Sequence, residues 1–512
     1  MKQKITIFII ICLTLFMISA CDTKEDPSIE ALIKADNEKN DIYYEIFVRS
    51  FADSDGDGIG DLNGVTENLD YLDALGVTAL WLMPINEGPT YHGYSVTDYY
   101  AIEEDYGTME DFQNLIDEAY KKDIKIMIDL VINHTSDQHP WYTSSQYDED
   151  SPYRDYYTWK ASSTAYSSFV GGMVDLNLKS EKVIEEIHHI IDFYMDMGVT
   201  GFRLDAAKHF FDYAENNGST IENIIFIAEL NAYMKNINEN SFLVSEVYDS
   251  YVDMYANYFQ ASDSAFNFYA SDKIVEALSG LSISRFASRI QNTYEDFSEF
   301  NSDFIDTPFL KNHDQDRIAS VLPQNDLEER LKLAARILLT LPGSPIIYYG
   351  EEIGMKGIRY EGISVDGYDA PVYDEYRRSP LLWGNSDIET TWLPDIGLNN
   401  DVDNISIQQN NDSSLLKAYQ EIIEIRKSYP ALMYGNYFEL FNGNNNNIQG
   451  YVRQYSYGDS FNEAVLVIHN FSSSSYEITD LAYEEIIYGS LAMDGYDTLI
   501  LKINPELIGD YI

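Results

Sequence analysis

The chain is predicted to be an α/β protein built on parallel strands, from three features of its pattern. From about residue 41, short apolar runs alternate with amphipathic helical stretches. The alternation breaks once, over 134–179, where no helical period is present, and it ends near residue 430, where short β-like runs take over. The runs Ile42–Val48, Val77–Leu82, Ile124–Ile132, Gly201–Leu204, Phe242–Ser245, Phe304–Leu310 and Pro345–Tyr349 read as strands, with Ala265–Phe268 the candidate for the sixth of eight. Between them, Met109–Lys121 carries Phe112, Leu115, Ile116 and Ala119 at helical spacing. Glu181–Met197 does the same with Val183, Ile184, Ile187, Ile190, Ile191 and Tyr194. A closed barrel and an open sheet both fit this alternation.

The 134–179 stretch is rich in Ser, Tyr and Asp, and a loop of that length is functional or a small inserted domain. The runs Gly450–Tyr455, Ala464–His469 and Thr498–Ile503 belong to a separate C-terminal β domain. At the other end, Lys2 and Lys4 precede an apolar stretch, Ile5–Met17, and Ile18-Ser19-Ala20-Cys21 follows. The Ile5–Ala20 run has 16 residues, short of the ~20 a spanning helix needs. Its ending resembles a bacterial lipobox, which implies an exported protein lipidated at Cys21 and held at the cell surface or the outer face of a membrane. Membrane contact is expected through that anchor alone. Residues 22–40 are polar and read as a tether.

With 85 Asp and Glu against 33 Lys and Arg, the formal charge is −52. Such a surface excludes a nucleic-acid partner, because phosphate binding needs clustered cations. At 45% hydrophobic and 14% aromatic residues, the chain is no disordered polyanion. The cysteines are Cys12 and Cys21, so no disulfide is expected in a chain cleaved before Cys21.

Acidic residues stand at the ends of several strands: Asp129, Asp205, Glu246 and Asp314. In a β/α barrel those ends converge on one face, where active sites lie. Their surroundings are Asp129-Leu-Val-Ile-Asn133-His134, Gly201-Phe-Arg203-Leu-Asp205-Ala-Ala-Lys208-His209, Ser245-Glu246-Val-Tyr248 and Lys311-Asn-His313-Asp314. With Tyr91-His92-Gly-Tyr94, Met173-Val-Asp175-Leu-Asn177 and the Gly343–Glu352 segment, seven signatures occur in order between about residues 41 and 390. The sequence resembles the α-amylase family of glycoside hydrolases.

That resemblance implies a (β/α)8 TIM barrel (41–133 and 180–429), a small inserted domain after strand 3 (134–179) and a C-terminal antiparallel β-sandwich (430–512). It implies a retaining hydrolase in which Asp205 is the nucleophile, Glu246 the acid and then base, and Asp314 the stabiliser of the transition state. Retention needs two carboxyl groups about 5–5.5 Å apart. Arg203 shares the inward side of its strand with Asp205, and its charge is expected to keep Asp205 ionised. By the same resemblance His92, His134 and His313 bond the sugar at the cleavage point and Tyr94 stacks on it. Asp129 belongs to the active-site region, and Lys208 and His209 contact the leaving-group side.

Asp53, Asp55, Asp57, the Ile59 carbonyl and Asp61 place oxygen donors at alternate positions, as a Ca²⁺ loop does. Position twelve is Gly64, so the loop is no EF-hand. A second Ca²⁺ site, implied by the family, would use Asn133, Asp175 and the His209 carbonyl. Ala206 and the Lys208-His209 pair resemble α-1,4-acting members, and Ser95 replaces the Asp of exo-acting relatives. A monomer that cleaves internal α-1,4 bonds of starch, amylose and maltooligosaccharides is therefore expected. The alternatives are a neopullulanase- or oligo-1,6-glucosidase-like hydrolase or transglycosylase, and a non-catalytic glycan-binding lipoprotein.

Overall fold

The computed structural model describes residues 28–169, 172–212, 220–249, 251–362, 373–440 and 447–510. It divides into two compact units, residues 1–38 and 39–512. The leader and Cys21 lie outside the described residues. In the first unit, the stretch expected as tether holds a helix, Ile29–Asp36. Ser28 caps it by accepting from the Ala31 N–H at 3.2 Å, and Glu30 and Lys34 suit the two ends of its dipole. No described helix is long and apolar enough to cross a membrane.

The second unit is built on a parallel sheet of β1 (Tyr43–Ile46), β2 (Ala79–Leu82), β3 (Lys125–Leu130), β4 (Gly201–Leu204), β5 (Phe242–Ser245), β6 (Ser264–Ala265) and β7 (Ile346–Tyr348). Their order is β6-β5-β4-β3-β2-β1-β7, as chain-order winding of a barrel requires. Residues 307–309 close it, through parallel bridges Phe266↔Thr307 and Phe309↔Ile346. The Asn267 N–H donates to the Thr307 carbonyl at 3.1 Å, and the Ile346 N–H to the Pro308 carbonyl at 2.9 Å. The expected full strand over Phe304–Leu310 does not form, because Pro308 has no N–H to give to a ladder. Gly343 allows the close approach beside it: a Cβ there would lie 2.1 Å from the Asp306 carbonyl.

The sixth strand is also shorter than expected. Ser264 and Ala265 pair with β5, Phe266 makes a single bridge to Thr307, and Phe268 opens the helix Phe268–Leu278. Asn267 stops the strand, since its side chain accepts from the Ala270 N–H at 2.9 Å and caps that helix. The helices Met109–Tyr120 and Glu181–Met197 bury the residues their period selected, apart from the half-buried Ile184, with Thr108 and Asp111 forming a capping box on the first.

Strand alternation sorts the core. Tyr43, Ala79, Trp81, Met127, Phe242 and Val244 fill the barrel interior, while Tyr44, Ile46, Leu80, Ile128 and Phe202 face the helices. One layer higher, the inward positions turn polar, with Glu45, Asp129 and Arg203 all buried. In the 134–179 segment, His134–Ser136 pairs antiparallel with Met173–Asp175. Most of its rings pack on one another or on Tyr99: Tyr142 stacks on Trp159, and Trp141 lies against Tyr99 and Tyr156. The C-terminal sheet runs β8-β9-β10-β12-β11, formed by β8 (Asn436–Glu439), β9 (Ile448–Tyr457), β10 (Phe461–Asn470), β11 (Glu485–Tyr488) and β12 (Thr498–Ile503). Val452, Leu466 and Leu501 bury one face, and Tyr451, Val467 and Ile500 join the main core on the other.

Candidate active site

A cleft of about 540 Å³ opens over the C-terminal ends of the barrel strands, lined by Asp205, Glu246 and Asp314 together with His92, Tyr94, His134, Lys208 and His209. Arg203 lies beneath it and collects the acids. Its Nη1 is 2.5 Å from Asp129 Oδ1 and 2.7 Å from Asp205 Oδ1. Nη2 is 2.9 Å from Glu246 Oε2, within ion-pair range but not aligned for a hydrogen bond. The Ala206 N–H donates to the same Glu246 oxygen at 3.0 Å. Ala206 reaches this position with φ 50°, a left-handed conformation at the turn after the strand.

Burial raises the carboxyl groups of Asp205 and Glu246, and Arg203 opposes the rise at both. Arg203, expected to keep Asp205 ionised, does lower it, but desolvation is the larger influence. Arg203 has an aligned hydrogen bond to Asp205 and none to Glu246. Asp129, also raised by burial against the pull of Arg203, is pushed up to about 7.

Asp314 differs, with its side chain 48% exposed in the cleft. Desolvation would raise it, but His313 Nε2 at 3.1 Å and Arg378 Nη2 at 2.9 Å hold it well below the usual carboxylate range. His313, implied to touch the sugar, does not line the cleft: it is fully buried under Asp314. Asp129 and Arg203 likewise sit below the cleft floor rather than in it. His92 and His134 face the cleft and are kept neutral, because burial lowers them to about 3 and about 4. Lys208 Nζ reaches Asp249 Oδ2 at 2.8 Å, and His209 Nδ1 reaches Asp212 Oδ2 at 2.5 Å.

Four lining residues were not named from the sequence: Phe169, Gln315, Asp374 and Arg378. Arg378 bridges Asp314 and Asp374 from a short turn, Glu375–Arg378, which has no periodic signal. Glu45 was missed too, although an acid inside the apolar run Tyr43-Tyr44-Glu45-Ile46 was a readable sign.

In the 53–61 loop, Asp53, Asp55 and Asp61 bring carboxylate oxygens within 4.8 Å of one another. Asp53 accepts from the Gly56 and Gly58 N–H groups at 2.7 Å, which folds the loop around the three acids. These hard oxygen donors can hold a metal ion. Asp57, expected as a ligand, is not in the cluster; it is exposed, and its carboxylate accepts from the Ile59 N–H at 2.7 Å. At the second expected site, Asn133 Oδ1 is buried without a partner, and the Asp175 carboxylate accepts from the Ser168 N–H and hydroxyl. The His209 carbonyl accepts from the Asp212 N–H at 3.1 Å.

The family profile described as alpha amylase, catalytic domain, matches residues 45–435. The chain belongs to the α-amylase family of glycoside hydrolases. Among α-amylase-family proteins it is 38% identical to alpha-amylase 3 of Dictyoglomus thermophilum over 494 residues, covering 91% of this chain and 93% of that one. It is 30% identical to an oligo-1,6-glucosidase of Bacillus cereus, covering 90% and 95% respectively. The crystal structure of the alpha-amylase from H. orenii superposes with a TM-score of 0.78 at 35% identity, covering 91% of this chain and all of that one. The family fold agrees with the closed parallel barrel and C-terminal antiparallel sheet described above.

Proposed function

We propose that this enzyme hydrolyses internal α-1,4-glucosidic bonds of starch-like glucans with retention of configuration. The observation that carries the reading is the fork of Arg203, which holds Asp205 and Glu246 on its two terminal nitrogens at one end of the cleft. The Asp205 oxygen that Arg203 does not bond attacks the anomeric carbon, while Glu246 gives its proton to the departing glycosidic oxygen. Glu246 then takes a proton from water as that water attacks the glycosyl ester, and Asp205 leaves as a carboxylate. Ionised Asp314 faces the positive charge that develops on the sugar, and neutral His92 and His134 offer hydrogen bonds without opposing that charge.

Internal cleavage is favoured by Ser95. It is 1% exposed and outside the cleft lining, so no carboxylate from that position pins a chain end. An α-1,6 or transferase side activity is the second reading, carried by the likeness to the oligo-1,6-glucosidase. Ca²⁺ in the Asp53–Asp55–Asp61 cluster would brace the loop between β1 and the helix that Asp61 caps. Export and anchoring through Cys21 complete the proposal. Product analysis on amylose, pullulan and a cyclodextrin, with the anomer followed by NMR, tests it. An initial α-anomer from amylose supports it, and an initial β-anomer refutes the retaining mechanism.

A further inference from the structure

The polar layer inside the barrel contains an acid on its first strand that none of the steps above uses. Glu45, on β1, is fully buried, and its Oε1 lies 2.5 Å from His313 Nδ1. The other ring nitrogen, Nε2, lies 3.1 Å from Asp314 Oδ2 and 2.8 Å from the Tyr94 hydroxyl. That hydroxyl is 3.4 Å from Asp129 Oδ2, to which it donates. Two carboxylates thus flank one imidazole on opposite edges, Glu45 by a hydrogen bond and Asp314 in ion-pair range, and an imidazolium answers both charges.

We propose that Glu45 is a positioning residue, acting through the two ring nitrogens of His313 to fix the charge and the rotamer of Asp314. Glu45 never meets the sugar. Its buried charge keeps His313 doubly protonated, and the cationic ring, whose second ring nitrogen meets the Tyr94 hydroxyl, stands 3.1 Å from Asp314 at the cleft floor. Arg378 Nη2 holds the other Asp314 oxygen, so the carboxylate is clamped from two sides. Strand alternation puts Glu45 inside the barrel beside Trp81, its register partner on β2. Trp81 meets the His313 ring edge-on at 5.7 Å, which bars water from that side.

The electrostatics agree. Burial alone would lower His313, yet Asp314 and Glu45 push it up to about 10. The charged and titratable groups around it are Asp129, Arg203 and Asp205 at β3 and β4, Tyr94, Tyr348 of β7, Glu351 beyond it, and Arg378. Among these, Glu45 is hydrogen-bonded to the ring and Asp314 is in ion-pair range of it.

The inference rests on reading Asp314 as a transition-state carboxylate, and the test separates the two. The full chain, labelled with ¹⁵N-histidine, is compared with His313→Gln to assign the His313 ring among the eight histidines. Both ring nitrogens should be protonated at pH 8, and one should lose its proton in Glu45→Gln, which keeps the shape but not the charge. On maltoheptaose, Glu45→Gln should lower kcat roughly tenfold with KM little changed, and move the alkaline limb about one pH unit toward acid. Glu45→Asp, which restores the charge, should return the limb toward its original position. A neutral His313 ring in the unaltered enzyme at pH 8, or an alkaline limb unmoved in Glu45→Gln, overturns the proposal. If Glu45→Gln does not fold, the ring nitrogens of the unaltered enzyme decide. Asp314→Asn with undiminished activity would sink the role of Asp314 while leaving the ring measurement to decide the link from Glu45 to His313.

Discussion

Replacing Arg203 with Met removes the one guanidinium under three acids while roughly keeping the side-chain volume. Arg203 and Asp129 side chains are 1% and 0% exposed, and the Asp205 side chain is 11% exposed, so no water moves in cheaply to replace the cation. Losing one partner of a buried ion pair costs about 3–5 kcal/mol. For a unit of this size, unfolding entropy makes a degree of Tm worth roughly 1 kcal/mol, so a loss of about 3–5 °C is expected at pH 8. The pH dependence has a fixed sign. Burial already raises Asp129 to about 7, above its unfolded value, so ionising it opposes folding. Stability is then fullest below the unfolded value near ~4 and falls as pH rises through the folded one. Without Arg203 the folded values of Asp129 and Asp205 climb further, and the fold escapes the charge by keeping them protonated at low pH. Calorimetry at pH 5 and pH 8 should therefore show a small Tm difference between Arg203→Met and the unaltered protein at pH 5 and a large one at pH 8. An equal loss at both pH values, or a loss below about one degree at pH 8, would refute the reasoning.

Glu246→Gln should cut hydrolysis of amylose by roughly 10³-fold but slow an aryl maltoside with a good leaving group far less, because only the former needs the proton. Similar losses on both substrates would remove Glu246 from the acid role. Stripping the protein with EDTA should lower its Tm, and Ca²⁺ at about 100 times its Kd should restore about 2.7 kcal/mol. Asp53→Ala should abolish that response, and a Ca²⁺ effect persisting in the variant would place the ion elsewhere. Asn267→Ala should cost about 1–3 kcal/mol in a denaturant titration, since it frees a helix N-terminus and strips partners from Asp306 and Tyr255. A loss below about 0.5 kcal/mol would show that the strand stop is set elsewhere.

What could be read from the sequence was local. Period two put Arg203 and Asp205 on one side of a strand, period 3.6 chose the buried faces of Met109–Tyr120 and Glu181–Met197, and ordered signatures gave the family. The tertiary structure decided what depends on distance through space. Whether the rings of 134–179 face a cleft or one another was open until Tyr142 and Trp141 were seen packed within the segment. Arg378 reaches Asp314 across 64 positions, and His313 meets Glu45 across 268, intervals over which no periodicity carries information. The charge states were undecided for the same reason. Asp205 and Asp314 are both aspartates beside cations, yet Asp205 is raised because desolvation outweighs Arg203, and Asp314 is lowered because His313 and Arg378 outweigh desolvation. Sequence names the ionisable groups, but burial and neighbours set their protons, and both are properties of the folded chain.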